Sequence, residues 1–370
     1  MKICHLTSAH PRYDIRIFVK MCRSLASAGH EVSLVVADGL PDENKDGVKI
    51  YGVKEEKNRF LRILKSPRNV YKKALLLDVD VYHLHDPELL PIGIKLKRKG
   101  KKVIFDSHED YPSQIRHKPY MNKYLSMIIS KMYAIYEKFA MKKFDRIIFT
   151  APFSSNNVSQ WHPAVVYIYN YPQIKEFNTV IRQLKQEGKI PAVCYAGAIT
   201  EIRGIKEMVK AMELCTNDVH LKLAGIFSSA SLRDEIVKIK GWEKVEELGF
   251  LDRKKIEELL GTSIAGLVVL WPTINDINSY PIKMFEYMAA ELPVIASNFP
   301  IWKDIVEGNK CGVCVDPLKP EEIASAIDFI INNNEQALEM GKNGKKAVIE
   351  KYNWDVEKEK LLNMYSGLNF

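Results

Sequence analysis

The chain reads as an α/β protein made of two doubly wound domains, each a parallel sheet covered by helices. Three observations predict this. Short apolar strand patterns alternate with helical stretches along almost the whole sequence, as parallel sheets with crossover helices require. The alternation comes in two series, broken by a polar stretch without clear periodicity that runs from about Tyr169-Asn-Tyr-Pro172 to Ile190. The length of 370 residues exceeds what one hydrophobic core usually spans.

In the first series, Lys2–Thr7 is an apolar strand, Arg16–Ala28 a helix ending at Gly29, and Glu31–Ala37 the next strand. Lys49–Val53 is a short strand. Val79–Leu84 and Lys102–Phe105 follow, separated by a helix over Leu89–Lys99; Tyr120–Lys143 is a long helix and Arg146–Thr150 a strand. The second series has strands at Ala192–Ala196, Leu221–Ala224, Val245–Leu248, Ala265–Leu270, Val294–Ala296 and Gly312–Val315. The expected domains are residues 1–170 and 171–352. Residues 353–370, opened by Asn353 as a helix cap, form a terminal helix that returns toward the first domain.

A hydrophobic content of 46% with 27% charged residues is that of a globular protein. Met1-Lys-Ile-Cys-His leads straight into a strand pattern, so no signal peptide is expected, and no apolar run approaches a membrane span. The net charge of +8 is unevenly divided: residues 1–170 carry 29 Lys and Arg against 17 Asp and Glu, while residues 171–370 carry 25 against 29. The first half therefore suits an anionic partner, a membrane surface or a nucleic acid. Its basic stretches Arg59–Arg68 and Tyr71–Leu77 interleave charges with apolar residues, the pattern of an interfacial helix, although a solvated helix face also fits. The six cysteines are dispersed and read as reduced, buried thiols; Cys311-Gly-Val-Cys314 lacks a second pair at zinc-site spacing.

Residues with chemistry collect after strands, where doubly wound sheets bind ligands. Thr7-Ser-Ala-His-Pro-Arg-Tyr-Asp14 follows the first strand. His83 and His85 alternate onto one side of another strand, which suits half a metal site or a structural turn at Asp86-Pro87. His108, in Asp106-Ser-His-Glu109, suits a hydrogen bond donated to a sugar hydroxyl or phosphate; a helix cap is the rival role for this turn. Gly197-Ala-Ile-Thr-Glu-Ile-Arg-Gly204 follows a strand and opens a helix, offering backbone N–H groups and Arg203 to a phosphate. Leu248-Gly-Phe-Leu-Asp252 suits a turn beside a nucleobase or a plain capped turn. The segment Ser279-Tyr-Pro-Ile-Lys-Met-Phe-Glu286 reads as a helix beginning at Ser279. At about 100° per residue, Ser279, Lys283 and Glu286 share a face. That order of hydroxyl, ammonium and carboxylate suits the diphosphate and ribose of a nucleotide sugar, and equally a solvated Lys–Glu pair.

Together these residues resemble the GT-B glycosyltransferases of the large retaining family 4, over essentially the whole chain. The resemblance is carried by Asp106-Ser-His-Glu109, Gly197–Gly204, Leu248–Leu251 and Ser279–Pro300 with Trp302 and Asp304. It implies two Rossmann-like domains facing a central cleft, with the donor held mainly by the C-terminal domain and the acceptor by the N-terminal one. It assigns Glu286 to the ribose, Arg203 and Lys283 to the diphosphate, His108 to the donor sugar, and Phe250 and Leu251 to the base. Gly197, Asn278 and Ser279 complete the donor set. Ser8, His10, Arg12 and Asp14 become acceptor-side candidates. Three positions depart from the family pattern: Asn278 where a Glu is usual, Ala198 where an Arg is usual, and Glu291 where a Gly is usual.

The implied activity is retaining transfer of a hexose or N-acetylhexosamine from a nucleotide sugar, UDP-linked in the leading version. The acceptor would be lipid-linked or a saccharide, in surface polysaccharide synthesis of the bacterial type. Arg203, Lys283 and helix N-termini would stabilise the leaving diphosphate, so neither a metal nor another cofactor is expected. The basic first half places the protein in the cytoplasm, peripherally on the inner face of the membrane. A GT-B-like nucleotide-sugar epimerase and a basic nucleic-acid-binding protein are the alternatives, though no recognised nucleic-acid module is visible.

Overall fold

The computed structural model describes the chain except residues 57, 109, 117–121, 152–157, 159, 178–189 and 369–370, and only the backbone of 59–61. Glu109 and most of the expected linker therefore lie outside the described residues. Two compact units result: Met1–Asn170 with Asp355–Phe370, and Tyr171–Trp354.

The N-terminal unit holds an eight-stranded sheet made of β1 (Lys2–Thr7), β2 (Glu31–Val36), β3 (Glu43–Lys45), β4 (Val48–Gly52), β5 (Val81–Leu84), β6 (Lys102–Ser107), β7 (Arg146–Phe149) and β8 (Val165–Tyr167). Their order is β3-β4-β2-β1-β5-β6-β7-β8, and every pairing is parallel except β3 with β4. The central strands β1, β2, β5, β6 and β7 are largely buried on both faces, as covering helices on both sides demand; β5 is buried along its whole length. The order reverses between β1 and β5, so the carboxyl ends of these two strands form the switch point where such sheets bind ligands.

The expected helix after β1 is present but begins as a π-helix over Ile15–Cys22 before continuing as α-helix over Arg23–Ser27. Asp14 sets this winding: its carbonyl accepts from the amides of both Phe18 and Val19, at 2.9 and 3.1 Å. The long helix runs over Lys123–Met141, capped by Asn122. The basic segment Arg59–Leu75 is helical. The terminal helix, Trp354–Ser366, packs into the N-terminal unit, where Tyr365 is fully buried and bonds the ring of His83 at 2.8 Å.

The C-terminal unit holds a six-stranded, wholly parallel sheet made of β9 (Ala192–Ala196), β10 (His220–Ala224), β11 (Val245–Gly249), β12 (Ala265–Val268), β13 (Val294–Ser297) and β14 (Gly312–Val315). The order β11-β10-β9-β12-β13-β14 places its switch point at the ends of β9 and β12. Val193, Leu221, Leu223, Leu267 and Ile295 form the centre of its core with Met208, Met212 and Ile327 from the covering helices.

Candidate active site

In the C-terminal unit the switch point gathers most of the donor residues read from the sequence. β9 ends at Ala196, and Gly197 turns the chain at φ +143°, a backbone region that side chains rarely adopt. A Cβ there would lie 2.7 Å from Lys283 Nζ, so the missing side chain leaves room for the ammonium group. The loop then forms a short turn over Glu201–Arg203 and enters the helix Ile205–Leu214 through Gly204 at φ +74°. A Cβ at Gly204 would stand 2.1 Å from the carbonyl oxygen of Val269, so this loop can lie against the end of β12 only with glycine.

Lys283 reaches the same place from the helix Ile282–Ala289. Its Nζ lies 3.8 Å from the centre of the Tyr195 ring, and the Tyr195 hydroxyl donates to the Ala198 carbonyl. Burial pushes the Lys283 ammonium well below its ordinary pKa; neighbouring Arg203 adds to the fall, while Glu286 and Asp276 oppose it. Among the described residues, neither Arg203 nor Lys283 is in a salt bridge. A guanidinium beside a buried, poorly solvated amine, neither paired with a carboxylate among the described residues, makes a site that an anion would complete.

Glu286 lies one turn further along the helix. Its carboxylate is already engaged: Arg253 NH1 donates to Oε1 at 2.8 Å, and the same guanidinium bonds Glu176. Arg253 opens the helix Arg253–Gly261 after the Asp252 cap, two residues beyond Leu251. Sequence reading missed it, because its partners stand 33 and 77 positions away. Phe250, at the end of β11, is 77% exposed, which leaves its ring open to a flat ligand, and Leu251 is half-buried.

The start of the lysine helix requires a correction. It begins at Ile282, with Pro281 at the N-cap in extended conformation, not at Ser279. Ser279 belongs to the preceding turn, its hydroxyl donating to the Asp276 carbonyl at 3.0 Å and its own carbonyl accepting from Trp302 Nε1 at 2.7 Å. Its hydroxyl is therefore not a helix cap. Asn278 terminates the helical turn Ile274–Ile277, and its side-chain amide makes no hydrogen bond to a described residue.

The N-terminal unit carries a dense polar cluster at its switch point. Asp86, fully buried after β5, accepts from the Thr7 hydroxyl, the Ser8 amide and His10 Nδ1, at 2.9, 2.5 and 2.8 Å. This carboxylate fixes the loop after β1 and so places Ser8 and His10. Asp106, at the end of β6, holds Arg16 through two 2.8 Å bonds and accepts from His108 Nε2 at 3.1 Å. Arg16 in particular keeps Asp106 ionised well below the ordinary carboxylate range, overcoming its burial. An ionised carboxylate only accepts, so Nε2 of His108 carries the proton, and a neutral ring presents Nδ1 as an acceptor.

Two acceptor-side candidates serve the fold instead. The guanidinium of Arg12 is buried and spent on Asp38, Glu43 and the Pro41 carbonyl. Asp14 caps the π-helix, accepting from the amides of Arg16 and Ile17 at 2.8 Å. The Arg12 guanidinium is thus not left for a ligand, whereas the cap engages Asp14 through Oδ1 alone.

His83 and His85 do share one side of β5, and the pairing of β1 with β5 brings His5 beside His83. Ring nitrogens of the three lie within 4.8 Å of one another. The rings of His83 and His85 are nearly parallel at 4.6 Å, so their lone pairs run side by side rather than converging as metal ligands do. His85 is occupied at both nitrogens, by His5 and by the Asp106–His108 pair. Burial lowers the pKa of all three, that of His85 to about 4, so the stacked rings are neutral.

The sequence model of the family "Glycosyl transferases group 1" matches residues 176–347, and that of "Glycosyltransferase Family 4" matches residues 16–171. An uncharacterised glycosyltransferase of Methanocaldococcus jannaschii is 25% identical over 99% of this chain and 98% of that protein. Among solved structures, sucrose-phosphate synthase from Thermosynechococcus elongatus superimposes with TM-score 0.78 at 17% identity, covering 99% of this chain and 98% of the other. Anabaena HepE in complex with UDP and glucose does so with TM-score 0.74 at 14% identity, covering all of both chains. These structures share the two-sheet GT-B fold found here. The two family matches, one on each unit, make this chain a glycosyltransferase of the group 1, family 4 type.

Proposed function

We propose that the protein transfers a hexose or N-acetylhexosamine, with retention of anomeric configuration, from a UDP-linked donor to a lipid-linked or saccharide acceptor in surface polysaccharide synthesis. The observation that carries the donor half is the pair of cations Arg203 and Lys283 at the end of β9, with the Glu286 carboxylate one turn beyond Lys283 on the same helix. A nucleoside diphosphate matches that order: diphosphate on the cations, ribose hydroxyls on the carboxylate. The complex of Anabaena HepE with UDP and glucose supports UDP as the carrier.

In the reaction the bond from the anomeric carbon to the diphosphate oxygen breaks, and the acceptor oxygen bonds that carbon on the same face. The acceptor proton passes to the departing phosphate oxygen, giving glycoside and nucleoside diphosphate. Arg203 and Lys283 stabilise the charge that collects on the diphosphate, the work a divalent metal would otherwise do. His108 accepts a hydrogen bond from a substrate hydroxyl through Nδ1, and Asp106 holds the ring for it. Ser8 and His10, placed by Asp86, remain the acceptor-side candidates.

The acceptor half rests on the helix Lys123–Met141. Tyr124, Ile128, Met132, Ile135 and Phe139 recur at helical spacing and are all more than half exposed, with Lys123, Lys131 and Lys138 beside them. Such a stripe suits insertion at the surface of an anionic membrane, where its apolar side chains leave water and the lysines meet headgroups. No helix among the described residues is long and apolar enough to cross a membrane.

Ligand-observed NMR against UDP-, GDP- and ADP-sugars tests the donor assignment. The Glu286→Ala variant should bind the preferred nucleotide roughly 10- to 100-fold more weakly, the worth of a hydrogen bond to a charged group. Full affinity and turnover in that variant would end the assignment. For the acceptor half, flotation with anionic and neutral vesicles should show salt-sensitive capture by the anionic ones alone. An absence of capture at low salt argues for a water-soluble acceptor.

A further inference from the structure

Arg253 has no role in the donor site as described, yet it holds the carboxylate on which ribose recognition depends. Its guanidinium lies 5.2 Å from the centre of the buried Phe177 ring, with NH1 on Glu286 Oε1 and NH2 on Glu176. Three partners on two elements thus fix the plane of the fork: Phe177 and Glu176 in the turn Ile174–Phe177, and Glu286 in the lysine helix. The backbone of Arg253 is fixed as well, since it is the first residue after the Asp252 cap, whose side chain accepts from the Lys255 amide. Side-chain freedom that Glu286 would otherwise lose on meeting a ligand is already lost in the free protein.

We propose that Arg253 is a positioning residue for nucleotide recognition. It anchors Oε1 of Glu286, aims Oε2 at the ribose hydroxyls, and offsets a negative charge that would otherwise stand beside an anionic ligand. The inference rests on the reading that Glu286 binds ribose. It gives the connection from β11 to the following helix two tasks: Phe250 and Leu251 for the base, Arg253 for the sugar of the nucleoside. Glu176 serves as the second anchor and keeps the guanidinium from following Glu286 if that side chain moves.

The test is the discrimination between ribose and 2′-deoxyribose. Binding of UDP, GDP and ADP, each beside its 2′-deoxy form, is measured by calorimetry on the full chain, and the tightest pair is carried forward. Wild type should prefer the ribonucleotide by about tenfold, equivalent to ~1.4 kcal/mol for one charge-assisted hydrogen bond. Arg253→Met should bring that ratio to within about threefold while leaving kcat at saturating donor nearly unchanged, so the loss falls on KM. Arg253→Lys, which keeps the charge but not the fork, should recover affinity only in part. Glu286→Gln should lose the ratio too, and adding Arg253→Met to it should cost nothing more, because Arg253 acts through Glu286. Glu176→Gln, a milder change that leaves Arg253 on Glu286, should weaken the ratio by about two- to threefold.

Unchanged discrimination in Arg253→Met, or equal weakening of both nucleotides, overturns the proposal while leaving Glu286 as the ribose ligand. Additive losses in the double variant do the same. Indifference of wild type to the 2′-hydroxyl, or undiminished discrimination in Glu286→Gln, removes the Glu286 reading itself and the proposal with it.

Discussion

Glu291 occupies a position whose backbone asks for glycine. The lysine helix ends at Ala289, Ala290 is its C-cap, and Glu291 follows with φ +58°. The amide of Glu291 donates to the Met288 carbonyl at 3.1 Å and that of Leu292 to the Tyr287 carbonyl at 2.9 Å. Together they form a Schellman motif, with fully buried Leu292 as its apolar anchor. The closing residue must be left-handed, and a residue with a Cβ pays roughly 1–2 kcal/mol for that. Against this, Glu291 binds Lys345 Nζ at 2.7 Å across a surface where both side chains are about one-third exposed. Such a pair contributes roughly 0.2–1 kcal/mol.

Glu291→Gly should therefore stabilise the protein by about 0.5–1 kcal/mol, or roughly 1–4 °C in Tm for a unit of this size. Glu291→Ala is the decisive companion. It loses the ion pair as Gly does but keeps the left-handed strain, so it should fall below Gly by about 1 kcal/mol in urea unfolding. Lys345→Met in wild type reads the ion pair alone and should be silent in the Gly variant. If Ala proves as stable as Gly, the strain argument is wrong, and the chain tolerates Glu291 for some other reason.

Three further outcomes are expected. Nucleoside diphosphate binding should take up a proton at Lys283, whose pKa lies below its ordinary value in the free protein and rises beside the diphosphate. Titrations in buffers of different ionisation enthalpy should show this between the two values, and Lys283→Met should abolish it; buffer-independent heats in wild type would contradict it. Burial lowers the His10 pKa, but its hydrogen bond to Asp86 and the surrounding carboxylates prevail, and the net value is raised. The stability this gives is complete below the ordinary histidine value and disappears as pH rises through the raised one, so His10→Gln should flatten the decline of the unfolding midpoint as pH rises above the ordinary histidine value. Tyr365→Phe leaves His83 without a partner at either ring nitrogen, since Nε2 is already unpaired. Its cost should be about 1–3 kcal/mol by thermal unfolding, and no loss would mean the His83–Tyr365 bond does not hold the terminal helix.

The fold was legible because its signals are local and repeated. The central parallel strands are buried on both faces, and each crossover helix shows its own period. β3 escaped because Glu43-Asn-Lys45 carries no strand signal; it pairs only as an antiparallel edge beside β4. β8 was too short to stand out. In the site, Gly197, Gly204, Lys283 and Glu286 could be read because backbone demands and helix spacing lie within a few residues. Ser279 was misplaced because Pro281 suits both the first helical turn and the extended residue before it; the bond of Trp302 to the Ser279 carbonyl settles the matter from afar. Arg12 and Asp14 looked like free polar groups until the fold supplied their partners. Arg253 is the converse case, a surface basic residue in the sequence that tertiary structure delivers to the site.

The division of the chain has a consequence for biosynthesis. Residues 171–354 of the other unit interrupt the N-terminal unit, whose last helix belongs to residues 355–370. A ribosome adding about 5–20 residues per second needs roughly 10–40 s to pass from residue 170 to residue 370. Throughout that interval the imidazole of His83 lacks its phenol, and Arg146 lacks the Gly367 carbonyl that it bonds in the finished protein. The strands made first are thus sealed last. A transcript cut short near its 3′ end would yield a complete C-terminal unit attached to an unsealed N-terminal one, a product that cellular proteases are suited to remove.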